Sequence, residues 1–112
     1  MKILMISTEY PPMQGGVGRY CQKLVNSLTE EGMDVFVVCD KFGNGQYNGI
    51  FPKNKENSQV LLKIANEIEP DLVHVQYEHG LYGLHLDPIN PRNTHTTIEY
   101  FYRKCKIPIH FK

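Results

Sequence analysis

The feature that most constrains the fold is a strand, a proline loop, a glycine pair and a helix, in that order, within the first 28 residues. The run Lys2–Ser7 is short, apolar and partly β-branched, which is typical of a buried parallel strand. Pro11 and Pro12 interrupt regular structure, and Gly15 and Gly16 open a segment with apolar residues at helical spacing. Those apolar residues are Val17, Tyr20, Cys21, Leu24, Val25 and Leu28. Such a loop aims free backbone N–H groups and the positive end of a helix at an anion, so we expect an anion-binding loop here.

The rest of the chain alternates between apolar runs and helical patterns. Helix one is expected at about Val17 to Glu31, with Gly32 ending it in a left-handed turn. The polar stretch from Asp40 to Asn57 is long for a loop and is either mobile or functional. The stretch from Tyr77 to Asn93 is predicted to be irregular. The other predicted elements are strand two at Val35–Cys39, helix two at about Gln59–Glu69 with Ser58 as its N-cap, strand three at Leu72–Gln76, helix three from Asn93 or Thr94 to about Lys104, and strand four at Ile107–Phe111.

This alternation predicts an α/β fold of three layers with a parallel sheet. A Rossmann-like, doubly wound arrangement would place the strands in the order 3-2-1-4, with the switch point between strands one and four. Ligands of such sheets bind beyond the carboxyl ends of the strands. The irregular stretches after strands one, two and three all fall on that edge, so we expect the functional site there.

Composition excludes several classes of protein. The chain has 112 residues, enough for one domain, and its 12 Lys and Arg balance 12 Asp and Glu, so no net charge favours nucleic acid. No apolar run is long enough for a transmembrane segment, although peripheral membrane contact stays open. Three cysteines without a C-x-x-C pair suit a reduced compartment, which predicts a cytoplasmic location.

The glycine cluster leaves two other functions open. Gly16 and Gly18 begin a G-x-G pattern without its third glycine, and the loop before them is too long for the dinucleotide fingerprint. Asp40 nevertheless stands where a ribose-binding acid of a nucleotide-cofactor protein would be expected. No lysine follows the glycines as in a P-loop. A stand-alone binding or interaction domain, in which Gly15 and Gly16 only allow a sharp turn, is the other alternative.

Two motifs resemble a known family. The first is Lys2–Ser7 followed by Glu9-Tyr10-Pro11-Pro12, Gly15-Gly16, Gly18, Tyr20 and Leu24, which looks like the opening of "group 1", family 4 retaining glycosyltransferases of the two-domain GT-B fold. The second runs from Pro70 to Gly83 and resembles the D-V-V-H-V-Q-H-E-F-G-I-F-G stretch of the same family. The motifs occur in the family's order and cover most of the ordered chain.

The resemblance implies an amino-terminal, acceptor-side half that faces a nucleotide-sugar-binding half across a cleft. It implies that Gly15 and Gly16 approach the diphosphate of the donor, because a Cβ would hold the backbone away from a phosphate. Arg19 is then either a nearby cation or a solvated helix residue. Glu78 and His79 either bind sugar hydroxyls or are loop residues satisfied by the backbone. The nucleotide-sugar is a substrate, so no separate cofactor is expected.

A metal site is not expected. His74, Glu78, His79 and His85 lack the H-E-x-x-H spacing and no predicted helix holds them. His74 is predicted to be a hydrogen-bonded core histidine within strand three.

The chain also departs from the family pattern. Met33 stands where a histidine usually follows the glycine after helix one, and strand four lacks the T-x-H segment whose histidine positions the reacting sugar. The catalytic role therefore does not transfer to His110, and the catalytic residues stay unknown. We expect residues 1–112 to form an incomplete acceptor-side domain without the donor domain, inactive alone. We also expect this domain either to self-associate through the edge of strand four or to be only marginally stable.

Overall fold

The structure is a computed structural model that describes residues 1–40, 42–48, 55–76, 84–86, 94–96, 101 and 104–111. Its elements alternate between strand and helix in the first two thirds of the chain. They are β1 (Lys2–Ile6), α1 (Gly16–Glu30), β2 (Asp34–Val38), α2 (Lys55–Ile68), β3 (Leu72–Val75), β4 (Leu84–Leu86), β5 (Thr94–Thr96) and β6 (Ile109–Phe111). Among the described residues, no helix is long and apolar enough to cross a membrane.

Four of these strands form one parallel sheet in the order β2-β1-β3-β6, which confirms the predicted α/β class. The predicted order 3-2-1-4 is wrong in one respect: strand three lies on the far side of strand one, and predicted strand four, which is β6, pairs with β3. The register sets Ile3 beside Val35 on one side and beside Leu72 on the other. The topological switch point therefore lies between β1 and β3.

The two helices explain this order because they cover opposite faces of the sheet. The apolar face of α2 packs over β1 as well as β2, so the chain crosses β1 and returns at its free edge. The α2 face is a cluster of Leu4, Ile6, Val38, Leu61, Ile64, Ala65, Ile68, Val73, Val75 and Phe101. The α1 face is a smaller cluster of Met5, Tyr10, Cys21, Val37 and Cys39, with Leu24, Val25, Leu28 and Val35 packed against it. Alternate residues of β1 enter opposite clusters, as the period of a strand requires.

The end of α1 follows the prediction. Gly32 has a φ of +88°, and its N–H donates to the Thr29 carbonyl at 3.0 Å. The Met33 N–H donates to the Leu28 carbonyl at 3.1 Å, which completes a Schellman motif. A glycine is required at position 32 because side chains disfavour the left-handed conformation.

The start of the second helix and the type of two later segments differ from the prediction. The helix α2 begins at Lys55, so Ser58 lies inside it and is not its N-cap. Thr94–Thr96 pairs with Leu84–Leu86 as an antiparallel hairpin, where helix three and an irregular stretch were expected. The β-branched threonines explain this difference, since they favour a strand. Phe101 and Lys104 are helical, and Phe101 is fully buried in the α2 cluster.

Residues 42–48 cover the outer edge of β2. Tyr47 bridges to Val38, and its N–H donates to the Val37 carbonyl at 3.0 Å. The Val37 N–H in turn donates to the side-chain oxygen of Gln46 at 2.7 Å. This part of the long polar stretch is therefore a structural device that satisfies an edge strand.

Candidate functional site

The loop after β1 lies at the carboxyl edge of the sheet and is fixed by the backbone on several sides. The Ser7 hydroxyl donates to the Glu9 carbonyl at 2.6 Å, within the loop. From the segment that follows β2, the Asp40 N–H donates to the Thr8 carbonyl at 3.1 Å. The Asn44 N–H donates to the Pro11 carbonyl at 2.9 Å. The segment after β2 thus braces the segment after β1.

Tyr10 anchors the same loop from below. Its side chain is buried in the α1-side cluster with Met5, Cys21 and Cys39. Burial raises the pKa of the Tyr10 hydroxyl, and the neighbouring thiols raise it further. Burial also raises the pKa of Cys21 to about 11, although the hydrogen bond with Ser7 opposes this. These groups are neutral at physiological pH and act as core residues.

The first turn of α1 receives a carboxylate from this loop. Gly15 is the N-cap residue, with an extended backbone and no side chain to cap the helix. The Gly18 N–H instead donates to Oε1 of Glu9 at 3.3 Å. A Cβ at Gly15 would collide with the Glu9 carboxylate, so that carboxylate lies directly over the N-cap. An acid at this end of a helix is favoured by the helix dipole.

The glycines of the first turn are not equivalent. A Cβ at Gly18 would lie 3.1 Å from Tyr10 Cα and N and 3.2 Å from the Glu9 carbonyl carbon, so a side chain there would push α1 and the loop backbone apart. At Gly16 a Cβ would meet nothing within 4 Å among the described residues, and the residue is exposed. Among the described residues, main-chain atoms crowd position 18, only the movable end of the Glu9 side chain crowds position 15, and nothing crowds position 16.

Of the other predicted site residues, the structure describes Arg19 but not Glu78 or His79. Arg19 is exposed on the first turn of α1, near Gly15 and Gly16. Glu78 and His79 follow Gln76 in the chain, but they lie outside the described residues. The Gln76 N–H donates to the Ile6 carbonyl at 2.9 Å, which holds the start of their segment beside the end of β1.

His74 is a core residue, as predicted. It is 8% exposed, and its Nε2 lies 2.6 Å from Oε1 of Gln76. Its ring centroid is 5.2 Å from that of His110 on β6. The described residues contain no group of three or more His, Cys, Asp or Glu side chains that could hold a metal ion.

Asp40 does not support the nucleotide-cofactor alternative. It is 8% exposed, and its Oδ1 accepts the Phe42 N–H at 3.3 Å. The Gly43 N–H donates to the Asp40 carbonyl at 2.9 Å. The carboxylate thus closes the turn after β2, the local role that aspartate often has in turns.

Sequence reasoning missed the contact of Glu9 with α1. Capping rules look for an acid at or just after the start of a helix, whereas Glu9 precedes Gly18 by nine residues. Only a fixed path for the proline loop brings the two together, and no local spacing reveals that path.

This site, a glycine-bearing first turn of α1 at the edge between β1 and β3, lies within the segment that known proteins share. The sequence pattern of the starch synthase catalytic domain family matches residues 2–101. The chain belongs to this family. The match agrees with the glycosyltransferase resemblance of the two motifs, while their assignment to family 4 stays a prediction.

Two curated proteins are similar to this member of the family. They are glycogen synthases of Mycobacterium tuberculosis, from strains CDC 1551 / Oshkosh and ATCC 25618 / H37Rv. Each is 37% identical over 71 residues, which cover 62% of this chain and 17% of the relative. The chain therefore corresponds to a small part of the length of these relatives. No solved structure matches it.

Proposed function

We propose that this chain is the acceptor-side part of a glycosyltransferase that moves a sugar from a nucleotide-sugar to an acceptor. In this proposal the first turn of α1 approaches the donor diphosphate. Starch and glycogen are both polymers of glucose, so we propose glucose as the sugar and a growing glucan as the acceptor. The family match and the glycogen synthases similar to this chain support the class of reaction.

The observation that carries the proposal is the open space around Gly16. It lies exposed at the start of α1, and a Cβ there would meet no other part of the described structure within 4 Å. A glycine without a structural reason, at a helix N-terminus, allows a phosphate to approach the backbone closely. Gly15 would contribute through its backbone, and the exposed Arg19 would add a positive charge.

The chemistry asked of this loop is binding and orientation. Its backbone donors would hold the diphosphate, whose negative charge grows as the bond to the sugar breaks. Because transfer needs donor and acceptor in one geometry, a second half of the cleft is required. Glu78 and His79 are proposed to contact sugar hydroxyls, and no catalytic residue is assigned.

The organisation of the whole protein is also a proposal. We propose that residues 1–112 belong to the acceptor-side domain of a two-domain GT-B enzyme, of the family 4 type, whose donor domain lies outside them. The match to only 17% of each relative's length supports this view. The nucleotide-sugar would be a substrate and no other cofactor is proposed. A cytoplasmic location, with room for peripheral membrane contact, is proposed from the cysteines, and Cys21, Cys39 and Cys105 are free thiols.

The test is a nuclear magnetic resonance titration of the ¹⁵N-labelled chain with ADP and UDP at millimolar concentrations. We expect the amide shifts of residues 15–18 to move with the ligand, since half of a cleft binds weakly but at the same place. Gly16→Val should abolish this response without loss of the folded spectrum, because its side chain would stand in the path of the phosphate.

Gln22→Val is the matched control. It places the same side chain on an exposed position of α1, about 9 Å further along the helix at 1.5 Å per residue. It should leave the response unchanged. Shifts elsewhere in the protein, or an equal response in Gly16→Val, would contradict the proposed site.

A further inference from the structure

The Glu9 carboxylate occupies the place where the proposed function puts a phosphate. It accepts the Gly18 N–H at 3.3 Å and lies where a Cβ on the N-cap residue Gly15 would be. The Gly18 N–H and the positive helix end, which would attract a phosphate, therefore already face an anion of the protein itself.

The position of Glu9 is fixed through its own backbone. Its carbonyl accepts the Ser7 hydroxyl at 2.6 Å, and its carbonyl carbon packs against α1, 3.2 Å from where a Cβ at position 18 would be. The residue is half-buried, while Gly16 beside it is open to solvent. Only the side chain of Glu9 is free to leave α1, by rotation about its own bonds, while the loop stays in place.

We propose that Glu9 is a positioning residue that competes with the donor diphosphate for the first turn of α1. With no ligand, its carboxylate caps the helix and keeps the loop in its binding conformation. When the diphosphate binds, the carboxylate swings away, because two anions repel each other and share the same donors. This inference rests on the proposed function and adds an internal competitor to that site.

Removing the charge of Glu9 should therefore strengthen phosphate binding. A carboxylate at a helix N-terminus contributes a stabilisation that corresponds to about a two- to five-fold change in an equilibrium constant. Glu9→Gln removes the charge but keeps an oxygen that accepts the Gly18 N–H. We expect its dissociation constant for inorganic pyrophosphate to fall by about two- to five-fold relative to the wild type.

The experiment compares wild type, Glu9→Gln, Glu9→Asp and Glu30→Gln by the amide shifts of residues 15–18 during a pyrophosphate titration. Glu30→Gln is the control, because it removes the same charge from an exposed position at the other end of α1. It should bind like the wild type. Glu9→Asp shortens the side chain by one methylene, which withdraws the carboxylate from Gly15, and it should also bind more tightly than the wild type. Glu9→Asp therefore still tests the competition if Glu9→Gln does not fold.

The outcomes separate this inference from the proposed function. If wild type binds pyrophosphate at residues 15–18 and both folded Glu9 variants bind equally or more weakly, the competition is refuted and the site stands. If Glu30→Gln gains as much as Glu9→Gln, net charge explains the effect and the competition is refuted. If no variant responds at these residues, the proposed site and the competition both fail.

Discussion

The different surroundings of Gly16 and Gly18 lead to opposite predictions for the same substitution. At Gly16 an added methyl group meets open space, and the backbone has no positive φ. Gly16→Ala should therefore be tolerated and should even stabilise the fold, because alanine restricts the unfolded chain and favours a helix. The expected gain in the free energy of unfolding is about 0.4–1 kcal/mol.

Gly18→Ala is the counterpart two residues further along α1. Its methyl group would lie 3.1 Å from Tyr10 Cα and N, which are main-chain atoms that cannot rotate away. The loop or the helix must shift, and overpacking of this kind costs about 1–3 kcal/mol. The two variants have the same composition, so any difference between them comes from position alone.

Urea unfolding followed by circular dichroism measures both free energies. A thermal melt should place Gly16→Ala about 2–4 °C above the wild type and Gly18→Ala about 4–12 °C below it. The reasoning would be refuted if Gly16→Ala lost stability by as much as Gly18→Ala. Glycine at position 16 would then be a requirement of the fold, and its presence would no longer indicate a phosphate site.

Three further predictions concern other parts of the chain. Glu69 has a φ of 52°, a left-handed conformation that glycine adopts more easily, so Glu69→Gly should raise the free energy of unfolding by up to about 1 kcal/mol. The control Glu67→Gly inside α2 should lower it by about 1 kcal/mol. Urea unfolding measures both. The raised pKa of Cys21 keeps its thiol protonated in the folded state, while the thiol of the unfolded chain ionises above its usual pKa of 9.0, so the free energy of unfolding should fall between pH 9.0 and about 11. Urea unfolding across that range should show a weaker dependence of stability on pH for Cys21→Ala than for the wild type. An equal slope in both would exclude Cys21 as the cause. The isolated chain should incorporate no glucose from ADP-glucose or UDP-glucose into glycogen, since its matched part covers only 17% of a glycogen synthase, and repeated turnover would contradict this.

The sequence was sufficient where local chemistry decides the structure. The apolar run of β1 and the glycine at position 32 predicted the ends of the first β-α-β unit to within about two residues. The burial of His74 was also predicted, because it lies between apolar neighbours in a strand.

The sequence was insufficient where distant parts of the chain meet. The side of β1 on which β3 lands depends on how α2 packs over Leu4 and Ile6, and either side gives a right-handed crossover. Likewise, a fixed proline loop brings Glu9 to α1, and no residue spacing encodes that approach. In the candidate site, the sequence indicated the glycine pair but did not separate Gly16, which the fold leaves free, from Gly18, which it needs.

The covered edge of β2 has a consequence for how copies of this chain could associate. In the described part of the sheet, Gln46 and Tyr47 hydrogen-bond to Val37 and Cys39 and block one outer edge, while β6 at the other edge has a neighbouring strand on one side only. A sheet with two open edges can add copies without end, as fibres do, whereas a sheet with one can only pair once. Two β6 strands meeting across a twofold axis would run antiparallel and use up the open edge of both copies. Self-association through this sheet would then stop at a closed dimer, and light scattering over a dilution series should show monomers and dimers without larger species.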